Sequence, residues 1–427
     1  MKDIVLIGAG NRGIKYSEIG LQMEDGFRVV AVAEPIKERR EYIRELFNIP
    51  DELCFESWEQ LLEKEKFADI VLIATMDKDH YTPTMTAIEK GYNIMIEKPI
   101  STLPEECVAI EQAAIKKSVF VLVCFVLRYC DFFTGLKKLI KDGVIGKVIN
   151  VQHAEDVGNV HHSHSFVRGN WGNSKNSSFM LLQKSSHDID VLQWLLDKKC
   201  KRVSSFGSLS YFKSENAPDG STEYCIDGCP HAEKCYYNAV KLYLESDSKW
   251  FRTTATKKED PTDADVELAL RNTQYGKCVY KCNNDVVDHQ IVNMEFEDGI
   301  TVNFTMSAFN KGDRRIVLMG TKGVISGNME DGYVSLYSFE DETTKKINLT
   351  ELVTASDITG GHGGGDKGIM QELKNLCNSK EKNIGISYNS VSGHMVAFAS
   401  EESRLNGGKV IDVEEYTAKI LNKVENS

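Results

Sequence analysis

No apolar run in the 427-residue chain approaches the length of a membrane span, and the longest, Val119 to Leu127, is the size of one buried strand. Basic charge is also in short supply, with 51 Lys and Arg against 63 Asp and Glu for a net charge of -12. That balance leaves no electrostatic footprint for nucleic acid or an anionic membrane surface, so the expected partner is a small molecule. Internal repeats and low-complexity tracts are absent. Residues 1 to 8 read as a strand and lack a signal-peptide cleavage region, which makes a reducing cytoplasm the expected setting. There the eleven cysteines are expected to be buried, metal-bound or reactive, not disulfide-paired. Core-forming material is plentiful: 41% hydrophobic content over this length suffices for at least two cores, and two domains are expected.

The most informative segment is Ile4-Val-Leu-Ile-Gly8-Ala-Gly10-Asn11-Arg12-Gly13, a buried strand running into a Gly-x-Gly-x-x-Gly turn. Gly8 permits the tight turn, Gly10 removes a side chain where backbone must approach a pyrophosphate, and Gly13 lets the following helix pack against its strand. The phosphates would sit at the helix N-terminus, where free N–H groups converge. A second strand, Arg28 to Ala33, ends in Glu34, about twenty residues downstream as a dinucleotide fingerprint requires. Glu34 accepts hydrogen bonds from a ribose and repels a 2′-phosphate, which favours NAD over NADP. Arg39 and Arg40 pull the other way, unless they only line a solvated helix face.

The first 125 residues alternate strand and helix as in a doubly wound parallel sheet, with strands at Ile4–Ile7, Val29–Ala33, Ile70–Thr75, Asn93–Ile96 and Val119–Phe125. A helix over Tyr81–Lys90 is closed by Gly91. After Gly146 the pattern changes to alternating runs, Val148–His153 and Val203–Leu209. A hairpin joins Ile291–Phe296 to Ile300–Met306 through Asp298-Gly299. The expectation is a Rossmann domain over 1–125 and an α+β domain over 126–427 with a mainly antiparallel open sheet. A spare sheet face suits a homodimer or homotetramer. Residues 211–285 read as a polar, Cys-rich insertion without a core of its own, and Asp357–Asp366 as a glycine-rich loop with Asp366 as N-cap of the next helix.

Ile94-Met-Ile-Glu97-Lys98-Pro99 ends the fourth strand. Together with the glycine turn, Ala33-Glu34-Pro35 and the segment containing His187, it resembles the Gfo/Idh/MocA family of NAD(P)-dependent oxidoreductases. The likeness is dense in the Rossmann part and looser beyond it. It implies hydride transfer between nicotinamide and a hydroxyl carbon of a sugar, cyclitol or glycoside. It also implies cofactor contacts from Gly8, Gly10, Asn11, Arg12, Gly13, Glu34, Thr75, His80, Glu97 and Lys98. His187 matches the family's catalytic histidine. Where the family has an aspartate this chain has Gln183, which cannot titrate, and Lys184 beside it is expected to take over an electrostatic role. At helical spacing Gln183, His187, Asp190 and Trp194 share a face, and Lys184 and Asp188 are placed as an i,i+4 pair.

His161-His-Ser-His164-Ser-Phe-Val-Arg168-Gly-Asn170-Trp171 gathers hydrogen-bonding side chains around an aromatic. Trp171 suits stacking on a sugar ring and Arg168 suits holding an anionic group. His164, Asn170, Gln183 and, in the glycine-rich loop, His362 complete the expected substrate contacts. Cys225, Cys229 and Cys235, with Cys278 or Cys282, offer four thiolates for a structural zinc, or else are small buried hydrophobes; an iron–sulfur cluster ranks below zinc. Two further readings stand beside the dehydrogenase. One is a glycoside-cleaving enzyme that oxidises transiently and returns the hydride, motivated by Gln183 and Lys184. The other is a non-catalytic dinucleotide sensor, which would tolerate His187→Ala and Lys98→Ala.

Overall fold

The structure is a computed structural model and describes residues 1–353, 363–379, 384–387 and 390–426. Two sheets organise the described residues. The first has seven strands, ordered Gly385–Ile386, Phe120–Val123, Asn93–Ile96, Ile70–Ile73, Lys2–Ile7, Phe27–Ala33 and Cys54–Phe55, all paired in parallel. Its central strands are uninterrupted apolar runs because both faces are covered. In the opening strand, Val5 and Ile7 belong to one core and Ile4 and Leu6 to another on the opposite face, none of them more than 1% exposed. Each such side chain contributes about 1.5–3 kcal/mol on burial.

The second sheet has nine strands and places Val148–Asp156 at its centre. All its neighbours pair antiparallel except Val148–Asp156 with Thr301–Ser307, which run parallel. The expected hairpin is present: Val302 faces Met294, Phe304 faces Val292, and Asp298 and Gly299 adopt positive φ at its turn. Four strands between Asp313 and Asn348 extend the sheet beyond those expected.

Chain order and spatial order part company near the C-terminus. The helix Gly365–Asn378 packs on the first helix, Asn11–Gln22, and contributes Ile369, Met370 and Leu373 to the core under the glycine turn. Gly385–Ile386 then adds an edge strand to the first sheet. The 211–285 segment departs from expectation too. It buries Ala239, Tyr243, Ala255, Val266 and Leu270 as one small core and Phe212, Tyr237, Val279 and Tyr280 in another. No described helix is long and apolar enough to cross a membrane.

Candidate active site

The glycine turn shows why each glycine is there. Gly8 has φ +90°, and a Cβ on it would lie 2.7 Å from the carbonyl of Ala74. A Cβ on Gly13 would lie 2.1 Å from the Gly8 oxygen. Gly10 is the opposite case: a Cβ there meets nothing within 4 Å, so the space above it is open at the N-terminus of the helix Asn11–Gln22. This cradle fits a dinucleotide pyrophosphate. Because Gly10 has an ordinary extended backbone, Gly10→Val is expected to fold, at a cost of about 1 kcal/mol because valine is a poorer N-cap than glycine. The side chain would fill the cradle and weaken NADH binding roughly 10- to 100-fold, the cost of overpacking a close contact. A fluorescence titration checks this, and wild-type affinity in the variant would refute the assignment.

Glu34, 4% exposed, accepts backbone N–H bonds from Ala9 at 2.7 Å and Ile36 at 2.9 Å, which fixes its carboxylate beside the turn. Arg40 donates to the Glu34 carbonyl and pairs with Glu56. Asn11 is exposed at the helix start. Arg12 lies over the Tyr16 ring and pairs with Glu97 at 3.0 Å and Asp366 at 2.7 Å. Burial acts to raise the Glu97 carboxyl, but Arg12 and Lys98 outweigh it and hold it below its ordinary range. Asp366 therefore meets Arg12 from the helix whose N-cap is Gly364; it is not itself the N-cap. Thr75 donates to the Asp79 carbonyl, and the buried His80 ring sits between the carbonyls of Thr75 and Pro99.

Lys98 leaves the end of the strand Asn93–Ile96 and donates from Nζ to the Gln183 carbonyl at 2.6 Å. Burial lowers its ammonium pKa and Lys184 adds to that, while Glu97 and Asp77 oppose. The backbone just beyond Lys98 is fixed from another element. Ile100 N–H donates at 2.9 Å to Nε2 of His394, whose Nδ1–H donates in turn to the Ser390 carbonyl at 2.8 Å.

The helix expected to run through residues 183–194 is broken. Met180–Gln183 forms one turn that Lys184 caps with helical backbone, Ser185 leaves the helical path, and Ser186–Leu196 starts afresh. His187 opens that second helix, partly buried, with its ring edge-on to Phe125 at 5.7 Å. The Lys184–Asp188 pair does not form. Lys184 reaches Glu155 at 3.5 Å, whereas Asp188 takes His153 at 2.8 Å and Arg314 at 2.9 Å. Arg314 also pairs with Glu155, so two partly buried cations, Lys184 and Arg314, meet two buried carboxylates, Glu155 and Asp188, beside the start of the second helix. Burial would raise Asp188, yet Arg314 and His153 hold it down to about 2. Burial raises Glu155 against the pull of Arg314 and Lys184. Asp190 points elsewhere and makes a two-pronged ion pair with Arg128.

Sequence reasoning missed Glu155, Arg314 and His394. A signal existed for the first two: Glu155 shares strand parity with Val151 and His153, and Arg314 with Ile316 and Leu318, so charged residues occupy inward-facing positions.

Several expected substrate contacts lie elsewhere. Arg168, 1% exposed, donates to the carbonyls of Lys277 at 2.8 Å and Tyr237 at 2.6 Å and so anchors the insertion. His164 is 1% exposed, bonded to the Tyr243 hydroxyl at 2.8 Å and ringed by Trp250, Phe251 and Tyr275. Asn170 is exposed, and Trp171 packs partly buried on the main core. His362 falls outside the described residues. The zinc expectation fails as well: among the described residues no group of three or more His, Cys, Asp or Glu side chains is placed to hold a metal. Cys225 instead accepts a long contact from Arg168 at 3.7 Å, and Cys235, Cys278 and Cys282 pack against the small core beside it.

Comparison with known proteins agrees with this geometry. The family described as "Oxidoreductase family, NAD-binding Rossmann fold" matches residues 2–125, and its "C-terminal alpha/beta domain" matches residues 137–388. The chain is 26% identical over 344 residues to the putative oxidoreductase YteT of Bacillus subtilis, covering 77% of each protein. It is 26% identical over 210 residues to the 2,7-anhydro-N-acetylneuraminate hydratase of Mediterraneibacter gnavus, a match spanning 47% of this chain and 51% of that one. Among solved structures, a levoglucosan dehydrogenase in complex with NADH and levoglucosan superposes with a TM-score of 0.69 at 17% identity, over 96% of this chain and 99% of the other.

Proposed function

The chain belongs to the Gfo/Idh/MocA oxidoreductases, and from that premise we propose that it transfers hydride between NAD and a hydroxyl carbon of a sugar, cyclitol or glycoside. One observation carries the reading: Lys98 Nζ, from the end of a first-sheet strand, is bonded at 2.6 Å to the carbonyl of Gln183, four residues before His187, so the ammonium is held against the segment that carries the histidine. Bound NAD supplies the hydride acceptor. Gly8, Gly10 and Gly13 hold its pyrophosphate, and the fixed Glu34 carboxylate takes a ribose and disfavours a 2′-phosphate.

The protein's side chains supply the rest. The His187 imidazole takes the hydroxyl proton, since its ordinary pKa lies near working pH. The Lys98 ammonium has three hydrogens and gives one to Gln183, so two remain for the oxyanion that forms on the substrate. Lys184, steadied by Glu155, adds positive charge without a proton relay through position 183. The Gln183 amide supplies a contact to a hydroxylated substrate. Exposed Phe206 and Ile291, paired across neighbouring strands, favour self-association of the second sheet as a dimer or tetramer. The eleven unpaired thiols suit a cytoplasmic enzyme.

The test is NADH formation from NAD with levoglucosan, scyllo-inositol and methyl glycosides. Accumulating NADH supports the dehydrogenase, and its absence across such a panel sinks it. The likeness to a hydratase and the Gln183–Lys184 pair favour transient oxidation as a second reading. That chemistry would cleave a glycoside or anhydro sugar while exchanging a substrate C–H for solvent deuterium, without NADH accumulating.

A further inference from the structure

The segment after the central strand of the second sheet holds three histidines; His162 and His164 are buried, at 0% and 1% exposed, whereas His161 is only partly so. His162 is stacked on Phe212 and His164 is bonded to Tyr243. Among the described residues no hydrogen bond engages either nitrogen of His161, although its ring is partly enclosed by Phe166 at 6.0 Å and Trp250 at 5.2 Å. Burial, then the charges of Lys184, His164, His162 and Arg314, lower its pKa to about 2 and keep the imidazole neutral. The segment that carries His161 also leaves the strand Val148–Asp156, whose Glu155 takes Lys184 at 3.5 Å.

Trp250 comes from the insertion. Its indole is braced from behind by His164 at 4.7 Å and Phe251 at 4.9 Å, within a cluster that has its own small core, yet it stays 42% exposed. Trp171 packs on the same Phe166 ring, at 6.1 Å, with a buried indole N–H that has no acceptor. A rigid aromatic face, an unengaged imidazole and an unsatisfied donor, grouped beside a cationic centre, match the surface of a ring that has C–H groups on its face and hydroxyls on its edge.

We propose that Trp250 and His161 form a subsite for a carbohydrate or cyclitol ring beside Lys184, with the indole stacking on the ring's C–H face and the imidazole bonding to ring hydroxyls. This rests on the carbohydrate reading above and narrows it. An open-chain polyol presents no preformed C–H face and would lose chain entropy on stacking, so it is a poor ligand here. The insertion is then a specificity element: it carries the stacking residue to a site built by the rest of the chain.

The experiment uses full-length protein loaded with NADH and saturation-transfer NMR with levoglucosan, scyllo-inositol and open-chain sorbitol. Wild-type protein is expected to saturate the ring compounds and not sorbitol. Trp250→Ala should weaken ring binding roughly 10-fold, with Trp250→Phe recovering most of it and NADH affinity unchanged in both. His161→Ala should weaken the same ligands, again without loss of NADH. Ring binding unaffected by Trp250→Ala and His161→Ala overturns the proposal. So does failure of wild-type protein to bind any ring compound, or loss of NADH binding in step with ring binding. Trp250-dependent ring binding without NADH formation from NAD would keep the subsite and remove the dehydrogenase reading.

Discussion

Acidification from pH 7.5 to pH 5 is expected to cost this protein about 6 kcal/mol of folding stability, a large part of the 5–15 kcal/mol a domain has. The main cause is three histidines that the fold buries almost completely in neutral form; His161, held neutral as well but only partly buried, adds a smaller share. His162 and His394 are 0% exposed with pKa lowered to about 4, and His164 is 1% exposed with pKa lowered to about 3, burial being the leading cause in each. In the unfolded chain each titrates near 6.5. The sign follows directly. Above about 6.5 neither state binds these protons, and below it the unfolded chain takes them up while the native state refuses them, so stability falls as pH drops toward 4. Each histidine contributes about 2 kcal/mol by pH 5. Urea unfolding at the two pH values measures the loss, and His162→Phe should remove about a third of it. A midpoint that stays constant between pH 7.5 and 5 would show that these rings are not held neutral. His394 makes the effect local as well, because protonating Nε2 removes the acceptor of Ile100 N–H and frees the turn that carries Lys98.

Lys98→Met should lower kcat roughly 10²- to 10³-fold, equivalent to about 2.7–4 kcal/mol, the cost of removing one preorganised donor to a developing oxyanion. NADH affinity should change little, because Glu97 keeps its pairing with Arg12 and its bond from Tyr16. The partly buried ammonium is what makes the effect large. Its charge is felt through protein instead of water, and Gln183 aims it. Single-turnover hydride transfer with the best substrate of the panel is the measurement, and a variant within threefold of wild type would remove Lys98 from the chemistry. Lys98→Arg is not expected to rescue, since a planar fork does not place charge where a compact ammonium does.

The parts of the molecule legible in the sequence were those whose signal is local. Ile4 to Gly13 encodes strand, turn and helix within ten residues, and Val292 to Met306 encodes a hairpin by simple alternation. The parts that escaped are of two kinds. Glu155, Arg314 and Asp188 become one cluster only when three distant segments pack, and no spacing rule connects them. His164 and Arg168 were misassigned for a different reason: polar side chains on an irregular segment look alike whether they face a ligand or anchor a small core. The Ser163–Arg168 and Val240–Leu244 turns are π-helical, so their buried residues miss the usual helical period, and the insertion appeared to have no core.

The bond between Arg12 and Asp366 joins residues 354 positions apart, across the turn that cradles the dinucleotide. During synthesis at 5–20 residues per second, the glycine turn emerges roughly 20–70 s before the helix that braces it. Ile369, Met370 and Leu373 arrive with that helix to finish the core beneath the turn. A segment made early is thus completed late, and a nascent chain gains a finished nucleotide site only once the helix Gly365–Asn378 has been made.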